Sequence, residues 1–106
     1  MPKYLWKSSY TREGARGVAA RGGSARRDAV TNAIEAAGGK LEAFYFAFGE
    51  TDVYAIAELP DDAAAAAVSL AVNSSGGTTA TTVPLMEPEV LDDAARRSVE
   101  YTPPGS

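Results

Sequence analysis

The fold is decided by residues 40–59, which read KLEAFYFAFGETDVYAIAEL. Two apolar runs, residues 40–48 and 53–59, flank a polar segment at residues 49–52, whose composition is typical of a tight turn. Both runs contain aromatic and β-branched residues, and both have the length of ordinary strands. The stretch therefore predicts a β-hairpin.

Both faces of this hairpin are apolar. The first run places Leu41, Ala43, Tyr45 and Ala47 on one face, and Phe44, Phe46 and Phe48 on the other. The second run places Val53, Ala55, Ala57 and Leu59 opposite Tyr54 and Ile56. Because a sheet with one solvated face alternates apolar with polar residues, two apolar faces indicate that both are covered. Helices of the same chain can cover one face, and an identical sheet is the simplest cover for the other.

Two further strands and three helical regions surround the hairpin. Residues 3–10 alternate as a strand does, and residues 78–86 form a threonine-rich last strand. The order strand, helix, strand, strand, helix, strand predicts an α+β, ferredoxin-like βαββαβ domain with a four-stranded antiparallel sheet. A short extra helix follows at residues 87–98. The predicted domain is thus residues 1–98, and residues 99–106 are a loose C-terminal tail.

The helix boundaries follow from capping chemistry. Thr11 is expected to cap the first helix, which the pair Gly22 and Gly23 interrupts. Ser24 is expected to cap a second segment, which Gly38 ends. After the hairpin, a proline followed by two aspartates is a typical helix start. We do not expect these adjacent aspartates to hold a metal ion, because both cannot face one ion without further ligands.

The composition excludes several kinds of function. The 106 residues include no cysteine and no histidine, which excludes disulfides, thiolate nucleophiles, zinc–thiolate sites and imidazole bases. The net charge of −4 argues against a nucleic-acid partner. No apolar run approaches the roughly 20 residues that span a bilayer. We therefore expect a cytoplasmic protein with no membrane partner, no metal and no cofactor.

Six short blocks carry a resemblance to a known family. They are KSSYT at residues 7–11, GGSAR at 22–26, GGKLE at 38–42, YFAFGETDV at 45–53, LPD at 59–61 and SG at 75–76. In their order and spacing the chain resembles the GYD domain family of small bacterial proteins, within the dimeric α/β-barrel superfamily. The resemblance implies ferredoxin-like subunits that pair through their sheets, and it implies no particular activity. The family has a glycine–tyrosine–aspartate signature, and Thr51 stands here where an aromatic residue is usual. No role of the signature tyrosine's hydroxyl is therefore carried over to this chain.

A glycine-rich turn beside arginines is the first candidate site. Gly22, Gly23 and Ser24 would expose backbone N–H groups at a helix start, and Arg27 with its neighbour Arg26 could hold a carboxylate or phosphate there. The alternative is a plain helix break with solvated or ion-paired arginines. No lysine follows in the pattern of a P-loop, so nucleotide binding is not predicted.

A group of aromatic and polar residues near the sheet is the second candidate site. A small-ligand pocket needs apolar walls with a few polar groups, and a tyrosine or aspartate there can act as acid or base. The candidate ligand-binding residues are Trp6, Lys7, Tyr10, Arg26, Tyr45, Asp52, Tyr54 and Thr81. The alternative is that the aromatic residues form the core and a subunit interface, while Asp52 bonds the backbone of the turn.

Three functions remain open from the sequence. The first is binding of a small aromatic or anionic molecule between sheet and helices, and the second is cofactor-independent isomerase or oxygenase chemistry on a Tyr–Asp or Lys–Asp pair. The third is a structural module without a ligand. The wider superfamily includes monooxygenases, isomerases, haem enzymes and ligand-binding domains, so fold does not decide among them. The lack of histidine and cysteine favours binding, with a second copy of the chain and a small molecule as partners.

Overall fold

The element order matches the predicted one. Among residues 1–105, which the computed structural model describes, eight regular elements follow one another. They are β1 (Lys3–Tyr10), α1 (Arg12–Arg21), α2 (Gly23–Ala36), β2 (Lys40–Phe46), β3 (Val53–Glu58), α3 (Asp62–Ser74), β4 (Thr78–Leu85) and α4 (Pro88–Arg96). Of the predicted tail, residues 99–105 contain neither helix nor strand, and residue 106 lies outside the described residues.

The four strands form one antiparallel sheet in the order β2-β3-β1-β4. Helical connections join β1 to β2 and β3 to β4, and this arrangement is that of a ferredoxin-like domain. The predicted fold class is therefore confirmed. α2 packs against β2, and α3 packs against β4, so these helices cover one face of the sheet, which we call the inner face.

The hydrophobic core lies between the inner face and these helices. Its buried members are Tyr4, Trp6, Ile34, Ala55, Ala57, Leu59, Ala65 and Val68. The alanines of β3 leave room for the helices to approach the sheet closely. The two aromatic residues keep their polar ends satisfied: the Tyr4 hydroxyl donates to Asp62 Oδ1 at 2.5 Å, and Trp6 Nε1–H donates to Ser69 Oγ at 3.0 Å.

Two of the predicted helix boundaries are present, and one predicted cap is not. Thr11 Oγ1 accepts a hydrogen bond from the Gly14 N–H at 3.2 Å, and Gly38 ends α2 with a φ of 88°. The prediction that Ser24 caps α2 is wrong, because the N-cap is Gly22 and no side chain caps this helix. The positive φ of Gly22, 88°, turns the chain from α1 into α2 within one residue, so Ser24 already lies inside the first turn.

Strand β2 departs from simple alternation at both ends. Its register with β3 shifts between Leu41 and Ala43, as at a β-bulge. Leu41 therefore pairs with Ala57 and packs against the core. Simple alternation predicts it on the other face, together with Tyr45. The strand also ends at Phe46, so Phe48 lies beyond it and is fully exposed instead of facing inwards.

The opposite side of the sheet, which we call the outer face, is left open by α2 and α3. It carries Leu5, Lys7, Tyr45, Tyr54, Ile56, Thr81 and Val83. Tyr45 is 70% exposed and Tyr54 is 40% exposed. Lys7 is exposed as well, and within residues 1–105 neither Asp52 nor Glu58 forms an ion pair with it. The two-sided apolar pattern is thus present, although these helices cover only the inner side.

Candidate functional site

A cavity opens at the edge of the sheet where β1 ends and β4 begins. It has a volume of about 270 Å³ and lies between α1, α2 and the loop before β4. Its walls include Tyr10, Gly14, Arg21, Gly22, Arg26 and Thr78. A mostly apolar lining with a few polar groups is the usual make-up of a small-ligand pocket.

The loop before β4 is held against the start of α1. The Thr11 N–H donates to the Gly77 oxygen at 3.1 Å, and Thr11 Oγ1 donates to the Gly76 oxygen at 3.0 Å. Gly14 approaches the same loop so closely that a Cβ on it would lie 1.9 Å from the Gly77 oxygen. Glycine is therefore required at position 14, and its contact with the loop holds one wall of the cavity in place.

The junction of α1 and α2 forms another wall. Here the two predicted glycines have separate roles: Gly22 supplies the positive φ, and Gly23 leaves room for an aromatic ring. A Cβ on Gly23 would lie 2.7 Å from the ring of Phe46. That ring is also close to Tyr10, with ring centroids 6.5 Å apart. The glycine pair thus brings the helix junction, β2 and β1 together at the cavity.

Tyr10 brings a hydroxyl group without a hydrogen-bond partner to this place. Its oxygen is buried and makes no hydrogen bond to any of the residues the structure describes. The Arg26 guanidinium is near enough to act on the hydroxyl electrostatically, but no hydrogen bond of good geometry joins the two groups. A buried hydroxyl in this situation costs about 1–3 kcal/mol. The site therefore has an unused donor beside a cation.

Burial and two nearby charges act on the pKa of this tyrosine. Burial raises the pKa of Tyr10, while Arg26 acts in the opposite direction and Asp52 adds to the rise. The net effect is a pKa above the usual value of 10. Tyr10 is therefore neutral at physiological pH, where its hydroxyl can donate a hydrogen bond to an acceptor.

Asp52 positions the end of β1. Its side-chain Oδ2 accepts a hydrogen bond from the Tyr10 N–H at 2.9 Å. Its backbone N–H donates to the Ser8 carbonyl oxygen at 2.8 Å, and its backbone carbonyl oxygen accepts from the Ala47 N–H at 2.8 Å. The side chain therefore bonds the backbone of a neighbouring strand and not the backbone of its own turn. Its carboxylate is engaged in fixing the backbone of Tyr10.

A second, smaller cavity of about 40 Å³ lies deeper, between the inner face and the helices. Its lining includes Trp6, Ser8, Val30, Phe44 and Ala80, and Arg26 borders it as well as the larger cavity. The arginine therefore lies between the larger cavity and the deeper, smaller one.

A match to a known protein family includes all the residues that line both cavities. A family model described as the GYD domain matches residues 4–95. The chain belongs to the GYD domain family. The resemblance noted from the six sequence blocks is thereby confirmed. No curated protein and no solved structure shows a detectable match to the chain.

In this GYD domain the predicted ligand-binding residues are divided between the two faces of the sheet. Three of them line the two cavities on the inner side, namely Trp6, Tyr10 and Arg26, and a fourth, Asp52, accepts a hydrogen bond from the backbone of Tyr10. The other four lie on the outer face: Lys7, Tyr45, Tyr54 and Thr81. One pocket between sheet and helices therefore does not contain all eight. A ligand at either group stays a prediction.

The predicted anion site is only partly assembled. Gly22 lines the larger cavity, and Gly23 lies at its helix junction. Ser24 and Arg27 are exposed, and Arg27 Nε lies 3.9 Å from the carboxylate of its neighbour Asp28. No sequence pattern selects Gly14 and Thr78 as cavity residues, because their role depends on the approach of the loop to α1.

Across residues 1–105, no three side chains of the metal-ligating types come together in a way that could hold an ion. No helix in that range combines the length and the hydropathy needed to cross a bilayer.

Proposed function

We propose that this GYD domain binds a small molecule that combines one aromatic ring with an anionic group, in the cavity between α1, α2 and the end of the sheet. The observation that carries the proposal is the buried hydroxyl of Tyr10, which has no hydrogen-bond partner and lies beside the Arg26 guanidinium. Buried polar groups in proteins are nearly always satisfied, so an unsatisfied one at a cavity indicates a missing acceptor.

The chemistry of the two groups selects the acceptor. A carboxylate can accept from the neutral Tyr10 hydroxyl and from the Arg26 guanidinium together, and charge-assisted hydrogen bonds of this kind are the strong ones. The lining of the larger cavity is mostly apolar and includes Val18, Ala25 and Ala29, which suits a ring. A volume of about 270 Å³ fits a single-ring molecule.

The same geometry favours binding over catalysis. Tyr10 has a raised pKa and so does not serve as a base near neutral pH, and Asp52 Oδ2 accepts from the backbone N–H of Tyr10 and not from its hydroxyl. Lys7, which a Lys–Asp pair would need, lies on the other face of the sheet. A structural module without a ligand would fill the space with aromatic side chains, whereas the cavity is open.

The test uses the single tryptophan of the chain. Trp6 borders the deeper cavity, which shares Arg26 with the larger one, so we expect its fluorescence to respond when a ligand contacts Arg26. We expect saturable changes with benzoate, and much weaker changes with benzyl alcohol, which lacks the charge, and with acetate, which lacks the ring. Native mass spectrometry of the protein as purified provides a second readout, because a retained ligand adds mass that is lost on denaturation.

Two variants separate the site from its surroundings. Arg26→Gln should weaken benzoate binding by about tenfold or more, given roughly 1.5–3 kcal/mol for a hydrogen bond to a charged group. The matched control is Arg27→Gln, one residue along the same helix, with an exposed side chain that should leave binding unchanged.

Tyr10→Phe should also weaken binding, but it should stabilise the free protein because it removes a buried unsatisfied group. Equal effects of the two arginine changes, or no bound mass and no response to benzoate, would contradict the proposal.

We further propose that a second copy of the chain covers the outer face. This is supported by the apolar centre of that face, Leu5, Ile56 and Val83, and by the exposed rings of Tyr45 and Tyr54. Exposed apolar patches of this kind mark association surfaces. Sedimentation velocity at micromolar concentration should show a dimer or a larger assembly, and a monomer would refute this part of the proposal.

A further inference from the structure

The segment after β4 exposes apolar side chains that its own chain does not bury. We call residues 86–101 the C-terminal arm. Among the residues described, twelve large apolar side chains are exposed, and five of them lie in this arm: Met86, Val90, Leu91, Val99 and Tyr101. Leu85, Tyr45 and Tyr54 of the sheet add three more. The exposed apolar surface is therefore concentrated, and it is not scattered as on an ordinary monomer.

The helix within the arm is strongly amphipathic. Helical spacing places Val90, Leu91 and Ala94 on one side of α4 and Glu89 and Asp92 on the other. No residue of α4 is buried. A helix of nine residues is shorter than the roughly 12–15 at which isolated helices become even marginally stable in water. Its apolar side therefore needs a surface to pack on.

The arm does not obtain that surface from its own sheet. A groove of about 440 Å³ separates it from the outer face, with Val90 and Met86 on one side and Ile56 and Lys3 on the other. The radius of gyration is 16.9 Å, whereas a compact chain of this length has about 13 Å. The long dimension of the molecule is 55 Å. The arm thus makes the molecule extended and leaves its apolar side open.

Charge favours a second copy as the occupant of this open surface. The arm carries five acidic and two basic residues, and so has a net charge of −3. The outer face presents Lys7, an exposed cation that makes no ion pair within the described chain, whereas Lys3 at the other end of β1 is paired with Glu42 at 3.0 Å and lies in register with Glu58. An acidic segment with an apolar side therefore matches an apolar face that carries a free lysine.

We propose that the arms of two copies are exchanged, so that α4 of each chain lies on the outer face of the other with its apolar side against that sheet, close to the partner subunit's Lys7. The inference rests on the dimer proposed above and is independent of the ligand. Each arm then covers the apolar surface that the helices of the other chain leave open. Exchange also explains why α4 is helical while no part of its own chain buries it.

The absence of cysteine allows a direct test by cross-linking. One chain carries Lys7→Cys, and a second chain with a different affinity tag carries Leu91→Cys; the two are mixed, re-equilibrated and treated with a short bismaleimide. We expect a covalent heterodimer. The matched control replaces Leu91→Cys by Leu70→Cys, because Leu70 is 71% exposed on α3, and this mixture should not cross-link. Efficient cross-linking within a chain that carries both Lys7→Cys and Leu91→Cys, mixed with an excess of unmodified chain at a concentration where the protein is a dimer, would overturn the exchange.

A second measurement separates failure of the exchange from failure of the dimer. Leu91→Glu in the full chain should raise the dimer dissociation constant by about tenfold or more, while Leu70→Glu should leave it unchanged. A wild-type dimer whose dissociation constant does not respond to Leu91→Glu would overturn the arm exchange alone. A wild-type monomer would overturn both this inference and the dimer, without bearing on benzoate binding at Arg26.

Discussion

Two tyrosines on the same side of β1 differ in what their hydroxyl groups contact. Tyr4 donates to the Asp62 carboxylate at 2.5 Å, whereas Tyr10 has no partner among residues 1–105. The Tyr4 hydroxyl joins the core to the start of α3, whereas the Tyr10 hydroxyl lies near Arg26 without a hydrogen-bond partner in the described part of the chain. At the scale of the residue, this difference separates a structural tyrosine from a candidate ligand-binding one.

The Tyr4 hydrogen bond predicts a loss of stability at high pH. Donation to Asp62, helped by burial, raises the pKa of Tyr4 to about 12 from 10. Because the fold favours the neutral form, this contribution to stability is complete below pH 10 and is lost as the pH rises through about 12. Urea denaturation at pH 9 to 12 should show a steeper decline for the wild type than for Tyr4→Phe. Parallel declines would show that the hydrogen bond makes no such contribution.

At the scale of the element, α1 is defined by its contact with the loop before β4. Thr11 and Gly14 join the start of the helix to Gly76 and Gly77. Gly17 lies in the same helix one turn later, and a Cβ there would have no neighbour within 4 Å. The two glycines therefore differ in their surroundings while sharing a helix.

Alanine substitution at these positions should have opposite effects. Gly14→Ala should destabilise the protein by about 1–3 kcal/mol, because the new Cβ collides with the Gly77 oxygen and the loop must move. Gly17→Ala should stabilise it by up to about 1 kcal/mol through helix propensity. Thermal and urea denaturation measure both changes. The close approach would be disproved if the two variants were equally stable.

Local chemistry explains why some elements could be predicted and others could not. The start of α1 at Thr11 depends on one side chain and its near neighbours, and this was readable from the sequence. Ser24 and Leu41 were placed wrongly because a positive φ at Gly22 and a bulge in β2 depend on how the elements pair. The proximity of Tyr10 to Arg26 likewise requires α2 to cross the end of β1, which no local pattern encodes.

At the scale of the whole molecule, the same alternation that revealed the fold divides the candidate site. Lys7 and Tyr54 lie in register on the outer face, whereas Trp6 and Tyr10 lie on the inner face. The sequence showed that both faces are apolar, but it could not show which polar side chains share a cavity. That information depends on which alternate residues of each strand face the helices and on where the helices lie.

The outer face provides the prediction at this scale. Tyr45→Glu should shift the assembly towards monomer, because a charge would be buried against the apolar surface of the second copy. Phe48→Glu is the control: Phe48 follows Tyr45 closely in sequence, lies beyond the strand and is fully exposed. Sedimentation velocity distinguishes the two. An unchanged sedimentation coefficient for Tyr45→Glu would remove the outer face as the association surface.

Strand β1 has a consequence for how such a protein can change. Its alternate residues serve different tasks, since Trp6 and Tyr10 border the cavities while Leu5 and Lys7 belong to the outer face. We therefore expect a point substitution in this strand to alter either the proposed ligand binding or the proposed subunit association, but not both. If both proposals hold, the two properties can diverge separately among family members, and an engineer can redesign the cavity while keeping the subunit interface intact.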